Sequence, residues 1–517
     1  MSDESGVSRR TLLTAGAAAL AGVGIGGAGA TLLRSPGPGV WTPPDASGAP
    51  PVRGLHLQFG RNAATDVVVS WQTTDAVRNP RVLVGMPTSG FGRTIHAETR
   101  TYRDAKSRSE VRVHHAALTD LTPDTEYVYA AVHDGTSPEL GTVRTAPSGR
   151  KPLSFTSFGD QATPTLGRQT GSTYTSDNLG SPAAADTTTA IERIGPLFNL
   201  VNGDLCYANL AHDRIRSWTD WFDNNSRSAR YRPWMPAAGN HENELGNGPV
   251  GFEAYQTYFA LPDSGADPAL RGLWYAFTAG SVRVISLSND DVCFQDGGNF
   301  YVHGYSGGAQ KRWLEAELAD ARRDPDVDWV VVCMHQTAIS TTDRTNGADL
   351  GIRQEWLPLF DRYQVDLVVC GHEHHYERSH PVRGALVSET RTPRPVDTRP
   401  DLIDTTKGTV HVVIGGGGTS APSNTMFFDR PKCRVVTGVG RLDPAIGRKA
   451  PIYVVEDAPW SAFRDRTHPY GFAAFDVDPG PPGGHTSITA THYAITGSFG
   501  ALTVVDQFTL TKPRGDS

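Results

Sequence analysis

The sequence predicts two folded parts in series, an all-β sandwich followed by a larger layered α/β domain. Three observations carry this prediction. Between Gly54 and Pro147 apolar residues alternate with polar ones, and no helical run intervenes. After Arg150, near-continuous apolar runs alternate with helix-like segments, as expected for strands buried on both faces. Four of those runs end in a side chain able to bind a metal: Asp160, Asp204, His335 and His372. Ligand crevices in α/β sheets lie at the carboxyl ends of strands, so the fold prediction is also a site prediction.

The N-terminal stretch reads as an address. Ser8-Arg9-Arg10-Thr11-Leu12-Leu13 precedes an uncharged Ala/Gly-rich run up to Leu33, and Ala28-Gly29-Ala30 offers a small-residue cleavage site. Paired arginines before a weakly hydrophobic run resemble a twin-arginine export signal. Residues 1–38 are assigned to it and to the start of a Pro/Gly-rich linker, SPGPGVWTPPDASGAPP. The chain is therefore expected to be secreted or held in the cell envelope. An uncleaved anchor is the other reading, because the run is just long enough to span a bilayer.

The sandwich is placed at residues 50–147. In TDVVVSWQT, Val67, Val69 and Trp71 fall on one face and Val68, Ser70 and Gln72 on the other, a period of two. LTPDTEYVYAAV repeats the pattern after a turn at Pro123-Asp124. The spacing of Leu121, Pro123, Thr125 and Tyr127 resembles the tyrosine corner of fibronectin type III domains, where the phenol ties the corner to nearby backbone. His114 and His115 are adjacent on a strand and point to opposite faces, which argues against a shared metal. The module shows no binding signature and is read as a packing or substrate-rim element.

The α/β domain is placed at 151–512, with 437–512 as its closing region. LSFTSFGD (Leu153–Asp160) is its first strand. Ala183–Ile194 is helix-like and leads into LFNLVNGD. Ala309–Asp324 has Trp313, Leu314, Leu318 and Ala321 at helical spacing and leads into DWVVVCMH. Ile352–Tyr363 is read as one helix leading into VDLVVCGH, and TVHVVIG as the last core strand. The glycines at 415–418 lack the Gly-Lys-Ser/Thr of a nucleotide-binding loop and are read as a close-packed turn.

Composition narrows the function classes. A net charge of −7 argues against nucleic acid as the main partner. Five scattered cysteines without a CxxC exclude a disulfide framework and a thiolate zinc site, and read as small buried hydrophobes. The potential ligands beyond the strand ends are Asn240 in Gly239-Asn240-His241-Glu242, Tyr207 three residues after Asp204, and His374 two after His372. Residues two apart in extended chain project to the same side, so His372 and His374 can flank a metal pair. Carboxylates, imidazoles, an amide oxygen and a phenol together suit iron, zinc or manganese. Glu373 is read as facing away.

The order GD, GDxxY, GNHE, VxxH, GHxH runs through Gly159-Asp160, Gly203-Asp204 to Tyr207, Gly239 to Glu242, Val332 to His335 and Gly371 to His374. With it the sequence resembles the purple acid phosphatases, a branch of the calcineurin-like metallophosphoesterases, and in domain layout the plant-type members. The resemblance implies a four-layer α/β/β/α catalytic sandwich and a fibronectin-like N-terminal domain. It implies Fe(III) at Asp160, Asp204, Tyr207 and His374, and a divalent Fe, Zn or Mn at Asp204, Asn240, His335 and His372, with Asp204 bridging. It implies attack on a phosphate monoester by metal-bound hydroxide, with His241 protonating the leaving group and His241 and Asn240 meeting the phosphate. Ligand-to-metal charge transfer from Tyr207 would give the purple colour.

The sequence departs from the family pattern twice. Ala162 stands where many members have the glycine of D-x-G. The loop after the VxxH motif, QTAISTTDRTNGADLG, lacks the plant-type histidine pair and leaves Arg344 as a candidate phosphate contact. His375-Tyr376-Glu377-Arg378 is read as supporting structure. A phosphodiesterase acting on nucleotides or phospholipid headgroups fits the same motifs. A catalytically dead exported binding protein is opposed by the presence of every proposed ligand.

Overall fold

The computed structural model describes residues 48–164, 169–170, 173–174, 179–295, 301–443, 448–497 and 499–515. The expected export signal lies outside the described residues. Among those described, no helix is long and apolar enough to cross a membrane.

The N-terminal part is built from two four-stranded antiparallel sheets. One orders its strands Arg53–Phe59, Val67–Thr73, Glu110–Leu118, Glu98–Arg103; the other Gly90–His96, Arg81–Met86, Glu126–Val132, Glu139–Arg144. Val67, Val69 and Trp71 are buried, as their alternation predicts. The tyrosine corner is present: the Thr122 N–H donates to the Tyr127 phenol oxygen at 2.8 Å. The opposite face, carrying His56, Ser70 and His115, is buried too. It packs on the α/β part: the His56 ring lies 4.4 Å from that of Phe222, and His115 Nε2–H donates to the Thr257 carbonyl at 3.0 Å. His114, on the other face, packs against Trp71.

The α/β part holds two seven-stranded sheets. The first orders Trp234–Pro236, Phe198–Val201, Leu153–Phe158, Gly471–Asp478, His485–Ala494, Thr503–Pro513, Leu402–Asp404. The second orders Tyr275–Ala279, Val282–Ser286, Trp329–Cys333, Leu367–Cys370, Val410–Ile414, Tyr376–Ser379, Ser461–Arg464. Strand periodicity explains the layering. Val330, Val332 and Val368 join the cluster formed by Leu314, Leu318, Ala321, Ile352 and Phe360 of the outer helices. Their neighbours Trp329, Val331, Cys333, Leu367 and Val369 point the other way, into the core shared with Phe155 and Phe475 of the first sheet. Helices Ala183–Ile194 and Arg214–Ala229 cover the first sheet's far side through Ile191, Trp218 and Trp221. The result is helix, sheet, sheet, helix.

Helix Ala183–Ile194 ends at Gly195, whose left-handed φ of 71° lets its N–H reach the Ile191 carbonyl. The single helix expected over Ile352–Tyr363 is instead two, Leu350–Glu355 and Leu357–Arg362, meeting at Trp356. Pro358 explains the break, because it has no N–H to continue the ladder. The sequence reading also passes over the helix Arg214–Ala229 and a long hairpin, Lys432–Asp443 with Arg448–Asp457. Val410–Ile414 ends the parallel set of the second sheet, but three further long strands complete the first. The turn reading of the four glycines holds: a Cβ on Gly415 would meet the Glu373 carbonyl at 2.2 Å, and one on Gly417 the Gly159 carbonyl at 2.3 Å. All five cysteines are buried and unpaired.

Candidate metal centre

The parallel strands of both sheets end at one edge, and the residues that follow them converge there. Asp160 follows Leu153–Phe158, Asp204 and Tyr207 follow Phe198–Val201, and Asn240 comes after Trp234–Pro236. From the second sheet, His335 follows Trp329–Cys333, and His372 and His374 follow Leu367–Cys370. Four of these have left-handed backbone: Asp160 (φ 56°), Asp204 (51°), Tyr207 (57°) and His372 (70°). That conformation costs roughly 1–2 kcal/mol for a non-glycine residue, so the surroundings must enforce it. Ala162, at the D-x-G position, shares it with φ 59°, which explains why glycine suits that place.

The motif glycines give the ligands room. A Cβ on Gly239 would lie 2.3 Å from Asp204 Oδ1, and one on Gly371 2.3 Å from Asp160 Oδ2.

Two groups of donor atoms result. Tyr207 Oη lies 3.3 Å from Asp160 Oδ1 and 3.2 Å from His374 Nε2, which is 3.4 Å from the same Asp160 oxygen. Around His335 Nε2 stand Asn240 Oδ1 at 2.9 Å, Asp204 Oδ2 at 3.1 Å and His372 Nδ1 at 3.1 Å. The outer nitrogen of each imidazole is committed elsewhere. His335 Nδ1–H donates to the Asn202 carbonyl, His374 Nδ1–H to that of Ala421, and His372 Nε2–H to Gln295 Oε1, each at 2.7 Å. Three ring lone pairs therefore face oxygen and nitrogen acceptors. Donors about 2.0–2.2 Å from one cation stand roughly 2.8–3.6 Å apart, and the separations within the two donor groups, 2.9–3.4 Å, fall in that range. The residues fit metal ions.

The electrostatics agree. Burial works against charge on His335, but the Asp204 carboxylate outweighs it and raises the pKa to about 10. His374 rises likewise to about 9 against burial, through its contact with Asp160. Burial and the neighbouring His335 hold His372 well below the ordinary value. Burial and the Asp160 and Asp204 carboxylates lift Tyr207 well above 10. Protons thus neutralise the carboxylates where a cation would do so better, and a phenolate here needs a highly charged partner.

His241 stands at the rim. Its Nδ1–H donates to Asn209 Oδ1 at 2.9 Å, and its Nε2 is 3.9 Å from Asp204 Oδ2. The ring packs on Tyr207 with centroids 4.5 Å apart. Arg344 does not join the cluster: it is exposed and pairs with Asp343 at 3.5 Å. Glu373 does face away, pinned to Thr342 Oγ1. His375 links Ser423 Oγ at 2.8 Å to Glu377 Oε1 at 2.9 Å and so steadies the loop whose Ala421 carbonyl holds His374.

Sequence reasoning missed several supports. Glu242, within GNHE, accepts the backbone N–H groups of Asp204, Leu205 and Gly239 at 2.8 Å each and so fixes the turn bearing Asp204. Asn289 Oδ1 accepts the His335 N–H at 2.7 Å. Asn202, Asn289 and Gln295 carry no motif of their own. The only signal for Asn202 was its place beside Gly203-Asp204.

Family models match both parts of the chain. Residues 52–145 match the model of the purple acid phosphatase N-terminal domain, and 174–376 that of the calcineurin-like phosphoesterases. A protein of Mycobacterium tuberculosis is 75% identical over 99% of this chain and 98% of its own length. The purple acid phosphatase of Glycine max is 27% identical, covering 85% of this chain and 81% of its own. The structure of a purple acid phosphatase from yellow lupin (Lupinus luteus) seeds superposes with a TM-score of 0.64 at 20% identity, over 89% of this chain and 74% of that one. The chain belongs to the purple acid phosphatase-type metallophosphoesterases, metal-dependent hydrolases of phosphoric esters.

Proposed function

We propose that the protein is an exported acid phosphatase with a binuclear metal site that hydrolyses phosphate monoesters. Asp160, Asp204, Tyr207 and His374 would hold Fe(III), and Asp204, Asn240, His335 and His372 a divalent Fe, Zn or Mn ion, with Asp204 shared. The observation that carries this reading is the orientation of the three imidazoles, each tied outward and each turning a lone pair onto acceptor atoms. Such groups face one another only where positive charge sits between them, a proton in the metal-free protein or a metal ion in the loaded one. The phenol favours Fe(III) for its own group, because a hard, highly charged ion best ionises a tyrosine that burial keeps neutral. Export rests on the twin arginines and the small-residue cleavage site in the sequence.

When bound, such a metal pair clamps phosphoryl oxygens and activates water for in-line attack. The protein's own groups do the rest. Asp204 is held by the His241 N–H on its Oδ1 at 2.9 Å and by Glu242 beneath its backbone. Asn240 places its amide oxygen beside His335 and lies next to His241 at the phosphate. His241, with Nδ1–H tied to Asn209, keeps Nε2 toward the site to protonate the departing alkoxide.

The test is hydrolysis of a chromogenic phosphate monoester against its bis-ester by the metal-loaded protein, from pH 4 to 8. Faster monoester turnover with a rate maximum on the acid side supports the proposal. A faster bis-ester reaction would make the protein a phosphodiesterase, and no turnover of either would leave it a binding protein.

A further inference from the structure

His372 is gripped from outside by residues that belong to none of the ligand motifs. Gln295 donates through Nε2 to the Asn346 carbonyl at 3.2 Å. That bond fixes which end of the amide faces His372: Oε1 accepts the ring's Nε2–H at 2.7 Å. Asn346 closes the loop by donating its Nδ2–H to the His372 carbonyl at 2.9 Å. Ring and main chain of one ligand are thus held by two side-chain amides, the first of which is also tied to the main chain of the second residue. Gln295 is anchored in turn, its N–H donating to Asp349 Oδ2 at 3.3 Å.

The grip extends to the long hairpin. Tyr453 is paired across the hairpin with Val436. Its ring lies 4.0 Å from the Arg434 guanidinium, which donates to the Asp343 and Thr345 carbonyls at 3.0 and 3.1 Å. The hairpin is therefore tied to the loop that carries Asn346.

We infer that Gln295 and Asn346 form a clamp that fixes His372 with Nδ1 turned to the metal pocket, and that Arg434 couples the loop of this clamp to the hairpin. Affinity for the second, divalent ion is then set partly by side chains outside the ligand set. Fixing the tautomer of a metal-binding imidazole through its other nitrogen raises its basicity and removes rotational freedom, and losing such a partner costs 10–100-fold in metal affinity. This inference rests on the metal-site reading given above.

The test uses full-length protein and measures iron content, the visible spectrum and zinc affinity by chelator competition. Gln295→Leu is expected to weaken zinc binding 10–100-fold while iron content and the visible band stay at native levels. Gln295→Glu keeps an oxygen that accepts the ring N–H but loses the Nε2–H on the Asn346 carbonyl, so its zinc affinity is expected to lie between the native and leucine values. Native zinc affinity in the leucine variant would overturn the clamp. A native protein that takes up no metal would instead overturn the proposed function, and the clamp with it.

Discussion

Adding one methyl group at Gly371 tests whether the site depends on the close approach of its strand ends. A Cβ built there would lie 2.3 Å from Asp160 Oδ2, 2.8 Å from the Asn202 carbonyl and 3.3 Å from His335 Nδ1. The backbone at Gly371 is not left-handed, so the penalty is contact alone. Ordinary contact begins near 3.4 Å, so the carboxylate must retreat by about 1 Å. That retreat would break its bond to the His372 N–H, now 2.9 Å, and open the 3.3 and 3.4 Å edges to Tyr207 and His374. A misplacement of that size costs about 100-fold in rate, or about 2.7 kcal/mol, and overpacking costs roughly 1–3 kcal/mol of stability. The assay is kcat/KM on a chromogenic monoester with iron content measured on the same samples. Gly416→Ala is the control, because its nearest contact would be a milder 3.1 Å to the Pro469 carbonyl. Full activity and full iron in Gly371→Ala would refute the packing argument.

Three further outcomes follow from the same structure. Burial lifts Glu244 to about 7 against an ordinary 4.5; the folded state therefore holds that proton more tightly, so stability falls as pH rises from 4.5 through 7, by about 3 kcal/mol in all. Glu244→Gln should flatten the dependence of melting temperature on pH in that window, which pH-resolved melting curves would read. His335, His374 and Tyr207, raised to about 10, about 9 and above 10, must release protons as metal binds. Metal-stripped protein should therefore bind zinc or iron more tightly at pH 8 than at pH 5.5 and acidify an unbuffered solution. Arg353 is fully buried, pairs with Glu456 of the hairpin at 2.8 Å and donates to the Ala338 and Thr390 carbonyls. Arg353→Ala strands that carboxylate and should cost roughly 3–5 kcal/mol, seen as a lowered melting temperature and easier proteolysis within Lys432–Asp457.

The sequence displays the ligands because chemistry fixes their residue types and the strands fix their places. An apolar run ending in Gly-Asp or Gly-His announces both the core strand and the group at its tip. What it hides are supports that act only through tertiary approach. Gln295 and Asn346 sit in loops far from His372 in the chain, and any polar loop carries such amides. Glu242 was visible in GNHE, yet its three N–H partners come from two separate turns. The hairpin escapes because its alternation is poor: Cys433, Val435 and Val436 are buried, while Leu442, Ile452 and Val455 are exposed. Helix Arg214–Ala229 has an apolar stripe at Trp218, Trp221 and Phe222, but the following Asp-Asn-Asn-Ser run disguises it. The second face of the sandwich reads as polar because it meets the α/β part through His56 and His115, with Ser70 bridging Gln58 and His115 behind them.

The central claim, a ferric ion held by the Tyr207 phenolate beside a second metal, is tested most directly by the visible absorption spectrum of the purified protein with its metal content. A broad visible band, about two metals per chain, and loss of that band in Tyr207→Phe are expected. A colourless native protein that binds two metals and turns over phosphate esters at full rate would contradict the role given to Tyr207.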